Sequence, residues 1–166
     1  MLIDSMVCLV DTREHDGKNQ HILDVFDKMG LHYEKRKLNF GDYSMKIPAN
    51  PDLGIMRDLD FSSKIIIERK ANLDEVCGNL GTADRSRIKK ELALAPAEKV
   101  MLIENATYSD VLHGNYRSKF APKSLWASLH SFWHEFGLPI FFVQQPEDSA
   151  YFIKGYFEYW LKNYLN

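Results

Sequence analysis

The chain has 166 residues, 45% of them hydrophobic, which is enough apolar content to fill one core and points to a single domain. Its formal net charge of -2 excludes a protein that holds nucleic acid by overall positive charge, so any such binding must come from local patches. Apolar runs such as 6–10 and 65–67 fall far short of the roughly 20 residues a membrane-spanning helix needs, and the two cysteines, Cys8 and Cys77, have no CxxC spacing. A soluble, intracellular, reduced protein is expected, with no disulfide, no zinc site and no membrane contact.

Residues 6–10 read as a buried strand that ends in the polar run Asp11, Thr12, Arg13, Glu14. Ile22, Leu23, Val25, Phe26 and Met29 then recur at helical spacing and stop at Gly30, a C-terminal cap. Apolar and charged residues alternate over 31–38, and Gly41-Asp42-Tyr43 interrupts the pattern before it resumes at 44–47, which predicts a second strand with a break. The stretch 48–63, with Pro48, Pro51 and Gly54, predicts a long hairpin connection.

Three consecutive β-branched residues, Ile65, Ile66 and Ile67, predict a central strand running into Glu68, Arg69 and Lys70. Asn72 is placed to cap the next helix, with Glu75 at the capping-box position. Residues 86–95 read as a basic amphipathic helix, with Ile88, Leu92 and Ala95 on one side and Arg85, Arg87, Lys89 and Lys90 near its start. A strand at 100–103 follows. Leu125, Trp126, Leu129, Phe132, Trp133 and Phe136 predict a helix over 122–136 that Gly137 ends; Pro139 opens a strand to Val143, and Pro146 opens a last aromatic-rich helix. The alternation of strands and helices implies an α/β fold with a mixed central sheet flanked by helices. Asp11, Glu14, Asp42, Glu68 and Lys70 all fall at strand ends or breaks, where open α/β sheets carry their sites.

Hydrolysis of a phosphodiester needs a hard cation to neutralise phosphoryl charge and orient water. An Asp and a Glu can hold Mg²⁺ when waters and the phosphate complete its shell. Asp42 and Glu68 are that pair, and period-two alternation puts Glu68 and Lys70 on one face of the strand and Arg69 on the other. Lys70 then serves either as a base toward water or as an electrostatic stabiliser of the phosphoryl group. By itself an Asp followed by ExK is common on solvated strands.

The chain resembles the XPF-type structure-selective endonucleases, a branch of the restriction-endonuclease-like PD-(D/E)XK fold. The resemblance rests on VDTRE at 10–14, GDY at 41–43, IIIERKANLDEV at 65–76, the basic helix with Arg87, Ile88 and Glu91, VMLIE at 100–104 and the aromatic helix ending at Gly137. Together these cover nearly the whole chain. The resemblance implies metal ligation by Asp42 and Glu68, with Lys70 as the catalytic lysine. It also implies that Asp11 and Glu14 line the same acidic cleft and reach a second metal or its waters, Asp11 as a metal ligand, and that Arg13 and Arg69 contact phosphate or pair with these carboxylates. The implied cofactor is Mg²⁺, with Mn²⁺ as substitute and no small-molecule cofactor. The implied partners are DNA and a second copy of the chain in a homodimer.

Two departures qualify that likeness. Asp84, Arg85, Ser86, Arg87 and Ile88 stand where longer relatives have Asp-Gly-Arg-Phe, so Arg87 matches the family arginine while the glycine is missing. The chain also reads as a single nuclease domain, 1–166, without a helix-hairpin-helix or helicase module, so the DNA structure it prefers does not carry over.

The expected activity is metal-dependent nicking of branched, flap or junction DNA in repair or recombination. Its rival is a non-catalytic DNA-binding or dimer-partner module, which would have lost the acids and the lysine kept here. A sequence-reading restriction enzyme is more remote, for want of a recognition insertion. Arg13, Arg85, Arg87 and Lys90 are the expected DNA contacts, although a solvated helix face explains the last three equally well. Lys35, Arg36 and Lys37 make a weaker case of the same kind. His15 lies near the VDTRE end, and His130 with His134 imitates a metal pair; surface or structural roles are expected for all three. Trp126, Trp133, Tyr156, Phe157 and Trp160 read as core residues before base-stacking platforms, but two aromatic-rich C-terminal helices exceed what one small core needs, which suggests an apolar interface.

Overall fold

A computed structural model describes residues 2–14 and 17–166; His15 lies outside the described residues. The elements are β1 (Val7–Val10), α1 (Gln20–Lys28), β2 (Tyr33–Lys35), β3 (Tyr43–Ile47), β4 (Leu59–Asp60), β5 (Ile65–Lys70), α2 (Leu73–Leu80), α3 (Thr82–Leu94), β6 (Glu98–Glu104), α4 (Tyr108–His113), α5 (Pro122–Phe136), β7 (Ile140–Val143) and α6 (Ser149–Tyr164). The strands form one mixed sheet in the order β2-β1-β3-β5-β6-β7, with β4 beside β3. The predicted mixed α/β architecture is the observed one. No helix among the described residues is long and apolar enough to cross a membrane.

The interrupted second strand is in fact two strands on opposite sides of β1. β2 runs parallel to β1 (Cys8 opposite Tyr33), because α1 carries the chain back before it pairs. β3 runs antiparallel on the other flank (Cys8 opposite Met45). The 48–63 connection does return as a hairpin, its arms joined by β4 at Lys46–Asp60 and Ile47–Leu59. Beyond β3, the strands β5, β6 and β7 are mutually parallel and run out to the edge at β7.

Side-chain alternation along β5 and β6 divides the core into two layers. Ile65, Ile67, Val100 and Leu102 pack with Phe26 of α1 and Ile153 and Phe157 of α6. Met101 and Ile103 face the other way, onto Val76 and Leu80 of α2 and Leu125, Leu129 and Phe132 of α5. Cys8 and Cys77 are free thiols, both buried.

Helix ends follow the sequence closely. Asn72 accepts from the N–H of Glu75 at 2.9 Å, and Gly137 closes α5 in the left-handed region. The predicted capping box is altered, because the Glu75 carboxylate takes the N–H of Ala71 (2.8 Å) rather than that of Asn72. α3 begins at Thr82, four residues before the predicted start, and of its predicted apolar side only Leu92 is buried. Pro146 opens a short 3₁₀ turn, and α6 starts at Ser149. α4, absent from the predicted elements, is held at its start by a reciprocal capping box between Thr107 and Asp110.

Candidate active site

A cleft of about 870 Å³ opens at the C-terminal end of β5, lined by Asp11, Arg13, Glu14, Asp42, Glu68, Arg69, Lys70 and Arg87 among others. Its floor depends on Gly41. The chain turns there at φ +75°, and a Cβ would lie 2.8 Å from the Ile66 Cβ and 3.2 Å from the Ile67 carbonyl, so only glycine lets this turn sit against β5. The adjoining residue is then locked at both ends: the N–H of Asp42 donates to the Ile67 carbonyl (2.8 Å), and its carbonyl accepts from the N–H of Asp11 (2.9 Å).

This arrangement brings Asp42 beside Glu68 across the β3–β5 seam. The Asp42 Oδ2 accepts from the backbone N–H of Arg69 at 2.7 Å. Burial pushes the Asp42 carboxyl well above the usual carboxylate range, and the charges of Glu68 and Glu14 push it further, against the opposing Arg69 N–H and Lys70. Glu68 is also raised, chiefly by burial, with Lys70 pulling it down and Glu91 of α3 pushing it up. Two carboxylates that resist ionisation side by side are a set of hard oxygen donors whose charge a cation would relieve, and one or two such groups suffice for Mg²⁺.

Lys70 shares the face of Glu68, as the alternation required. Its Nζ donates to the Oδ1 of Asn79 on α2 at 2.6 Å. Asn79 lines the cleft and was missed in the sequence, because nothing local marks an asparagine nine positions downstream as a lysine's partner.

Asp11 and Glu14 stand at the cleft wall, already engaged. The Oδ1 of Asp11 accepts from the N–H of Leu38 (2.9 Å) and its Oδ2 from the Nε of Arg13 (2.8 Å). Asp11 is thus held by backbone and by Arg13 at the cleft wall, and among the described residues no group of three or more His, Cys, Asp or Glu side chains is arranged to hold a metal ion. Glu14 accepts from Arg69 (3.3 Å) and from the Tyr43 hydroxyl (3.4 Å); burial raises its carboxyl, and Arg69 opposes the shift.

Arg69 points to the opposite face, as predicted, and there it is buried and paired. Its Nε and Nη2 donate to the Oε1 of Glu104 at 3.0 and 2.7 Å, and its Nη2 also donates to the Lys18 carbonyl. Burial alone would lower its affinity for a proton, but the bond to Glu104 and that residue's charge raise it above the ordinary arginine value. Glu104 in turn receives the Ser149 hydroxyl (2.5 Å) and lies 2.9 Å from the Nε2 of His21.

The expected DNA contacts divide. Arg85 is drawn into the protein, donating to Ser128 (3.0 Å) and lying over the Phe132 ring. Arg87 reaches the cleft but pairs with Glu91 (3.0 Å) and Asp84 (3.6 Å). Lys90 is exposed on α3, outside the cleft lining. Arg36 pairs with Asp60 at 2.8 Å. His130 is no metal pair with His134, since its Nε2 lies 2.9 Å from the Tyr108 hydroxyl, which also accepts from the Trp126 indole.

No curated protein matches this chain. Among solved structures, XPF from Aeropyrum pernix matches with a TM-score of 0.61 at 18% identity, over 90% of this chain and 59% of that one. XPF from Aeropyrum pernix in complex with DNA matches with a TM-score of 0.67 at 18% identity, over 95% of this chain and 66% of that one. The chain therefore spans less than two thirds of either structure, and at this identity the likeness establishes the fold. The ERCC4 domain family matches residues 10–156, a span that runs from the end of β1 into α6 and includes every cleft residue described above, so the chain belongs to that family and is a nuclease-type domain.

Proposed function

We propose that this chain is a divalent-metal-dependent DNA endonuclease domain, acting on branched, flap or junction DNA in repair or recombination. The observation that carries the reading is the assembly of Asp42, Glu68 and Lys70 on one wall of an open cleft, with the two carboxylates raised by burial and charge and the lysine fixed by Asn79. DNA is the polymer present with the Aeropyrum pernix XPF structure that shares this fold.

Asp42 and Glu68 would hold Mg²⁺, or Mn²⁺ in its place. That ion, when bound, neutralises phosphoryl charge and lowers the pKa of water. The Arg69 N–H keeps the Asp42 carboxylate aimed into the cleft. Lys70 donates to a phosphoryl oxygen and stabilises the charge that grows there. Water adds to phosphorus and the P–O3′ bond breaks, leaving a 5′-phosphate and a 3′-hydroxyl.

The test is a cleavage panel of flap, fork, four-way junction, single-stranded and linear duplex DNA with Mg²⁺ and Mn²⁺. Lys70→Ala should slow cutting by roughly 10²- to 10³-fold, the loss typical of one well-placed donor, with Asp42→Ala at least as severe. Binding without cutting in either metal would sink the enzymatic reading.

A homodimer belongs to the same proposal. Trp126 and Trp133 of α5 stand 41% and 40% exposed around a groove of about 240 Å³ against the edge strand β7. Equilibrium sedimentation should show a dimer that Trp126→Ala with Trp133→Ala dissociates; a monomeric wild type would overturn it.

A further inference from the structure

The cations that the sequence offered for DNA are largely occupied. Arg13 pairs with Asp11, Arg69 with Glu104, Arg85 with Ser128, and Arg87 with Asp84 and Glu91. A second basic surface has no such commitments. Between Asp110 and Glu135 the sequence contains no acidic residue, in a chain that is acidic overall, and this stretch holds Arg117, Lys119 and Lys123. All three side chains are exposed, and none forms a salt bridge among the described residues.

The loop that presents them, between α4 and α5, is tied down. Asp74, in the first turn of α2, accepts with one oxygen from the backbone N–H groups of Arg117 (2.9 Å) and Ser118 (2.7 Å). The Tyr116 hydroxyl donates to the Phe120 carbonyl (2.6 Å), and the N–H of Phe120 donates to the Ser118 hydroxyl (3.1 Å). Asn105, just past β6, donates to the Ala71 carbonyl at 3.0 Å, which ties the end of β6 to the end of β5 from which α2 and Asp74 follow. A carboxylate spent on two backbone donors fixes where the loop stands while its arginine and lysines stay in water.

The position suits a polyanion leaving the cleft. Asp74 follows Lys70 by four residues, a span of at most about 14 Å of chain. One hydrogen bond then reaches Arg117, so the basic loop stands within roughly 20 Å of Lys70, about six nucleotide steps at 3.4 Å per step. We propose that the Asp74-tethered loop is a DNA-backbone contact of this protein, in which Arg117, Lys119 and Lys123 neutralise phosphates of the duplex arm beyond the scissile bond. This rests on the nuclease reading and adds to it the surface that sets how the duplex lies.

The experiment is fluorescence anisotropy of the whole chain with a labelled flap DNA in EDTA, across a salt series. Wild type is compared with Arg117→Ala/Lys119→Ala, the same pair with Lys123→Ala, and Lys28→Ala on α1 as a distant control. Removing each phosphate-neutralising side chain should lower the log–log salt slope by about 0.9, which at 0.1 M salt is about an eightfold weaker affinity per side chain. Melting temperatures and Lys28→Ala binding should be unchanged. Asp74→Ala gives a test of sign, since removing an acid should strengthen DNA binding if only net charge matters and weaken it if the tether positions the loop. Asp74→Asn, which keeps an acceptor oxygen and loses the charge, should bind at least as tightly as wild type. An unchanged melting temperature of Asp74→Ala shows that its loss of binding is not one of folding, and tighter binding by Asp74→Ala would overturn the role of the tether. Wild-type binding with unchanged slopes in the loop variants would overturn this proposal alone. A wild type that binds no DNA would overturn it together with the nuclease reading.

Discussion

The two faces of β5 take opposite solutions to the same problem of charge at a strand end. On one face Glu68 and Lys70 meet Asp42 in a cleft, and the carboxyls are pushed upward because burial and mutual repulsion outweigh their neighbours' help. On the other, Arg69 is buried with Glu104, and every oxygen of that carboxylate has a donor or histidine nitrogen within hydrogen-bond reach. One face leaves its electrostatics unfinished and so can receive a cation and a phosphate; the other is closed and can only support. The link between them is the backbone of Arg69, whose side chain is clamped on the closed face while its N–H holds Asp42 on the open one.

The largest effect expected from breaking this division is on the closed face. Glu104→Ala strands Arg69 as a buried charge without its main partner, a change that costs about 3–5 kcal/mol. At roughly 2–4 °C per kcal/mol for a domain of this size, thermal melting should show a fall on the order of 10 °C. Glu104→Gln, which keeps acceptor and shape, should fall less. Equal and small shifts in both variants would mean that the closed face is not a scaffold for the open one.

A smaller effect is expected on the open face at Asn79. Asn79→Ala removes the acceptor that fixes Lys70, and a hydrogen bond to a charged group is worth about 1.5–3 kcal/mol. Single-turnover cleavage should slow about tenfold while DNA affinity holds, because the lysine keeps its charge and loses only its orientation, and the melting temperature should fall by several degrees at most, less than in Glu104→Ala. A fall in affinity with no change in rate would assign Asn79 to binding instead.

How much of this is legible in the sequence depends on how far each partner lies along the chain. The split of Glu68 and Lys70 from Arg69 follows from period-two alternation, the cap at Asn72 from a three-residue pattern, and the glycine at 41 from its place at a strand break. Glu104 as the partner of Arg69 needs the parallel register of β5 with β6, which sets Arg69 beside Leu102 and which no local pattern encodes. Asp74 looks like part of the catalytic motif because it trails Lys70, yet its carboxylate is spent on backbone 43 residues away. The stretch 31–47 reads as one broken strand because alternation continues on both sides of the break; the turn through Leu38, held by Asp11, sends the halves to opposite flanks of β1. The basic helix is legible as basic, but not that Arg85 and Arg87 find partners within the protein.

The smallest expected effect concerns the open face without its cation, and its sign sharpens the comparison. The folded carboxyls of Asp42 and Glu68 lie above their unfolded values, so between about pH 4 and those raised values the folded state binds more protons than the unfolded one. Stability of the metal-free protein must therefore fall as pH rises through that window. Asp42→Asn removes one ionisation and the repulsion with Glu68. It should raise the melting temperature at neutral pH by a few degrees, a gain of roughly 0.5–2 kcal/mol, and flatten the decline with pH. As pH falls below both raised values, the gain should shrink. Mg²⁺ should raise the wild-type melting temperature at neutral pH, by about 2.7 kcal/mol of stability at a hundredfold excess over the dissociation constant, and leave Asp42→Asn nearly unmoved. A variant that melts lower than wild type at neutral pH would show that Asp42 is stabilising as an ion, and the open face would then be as complete as the closed one.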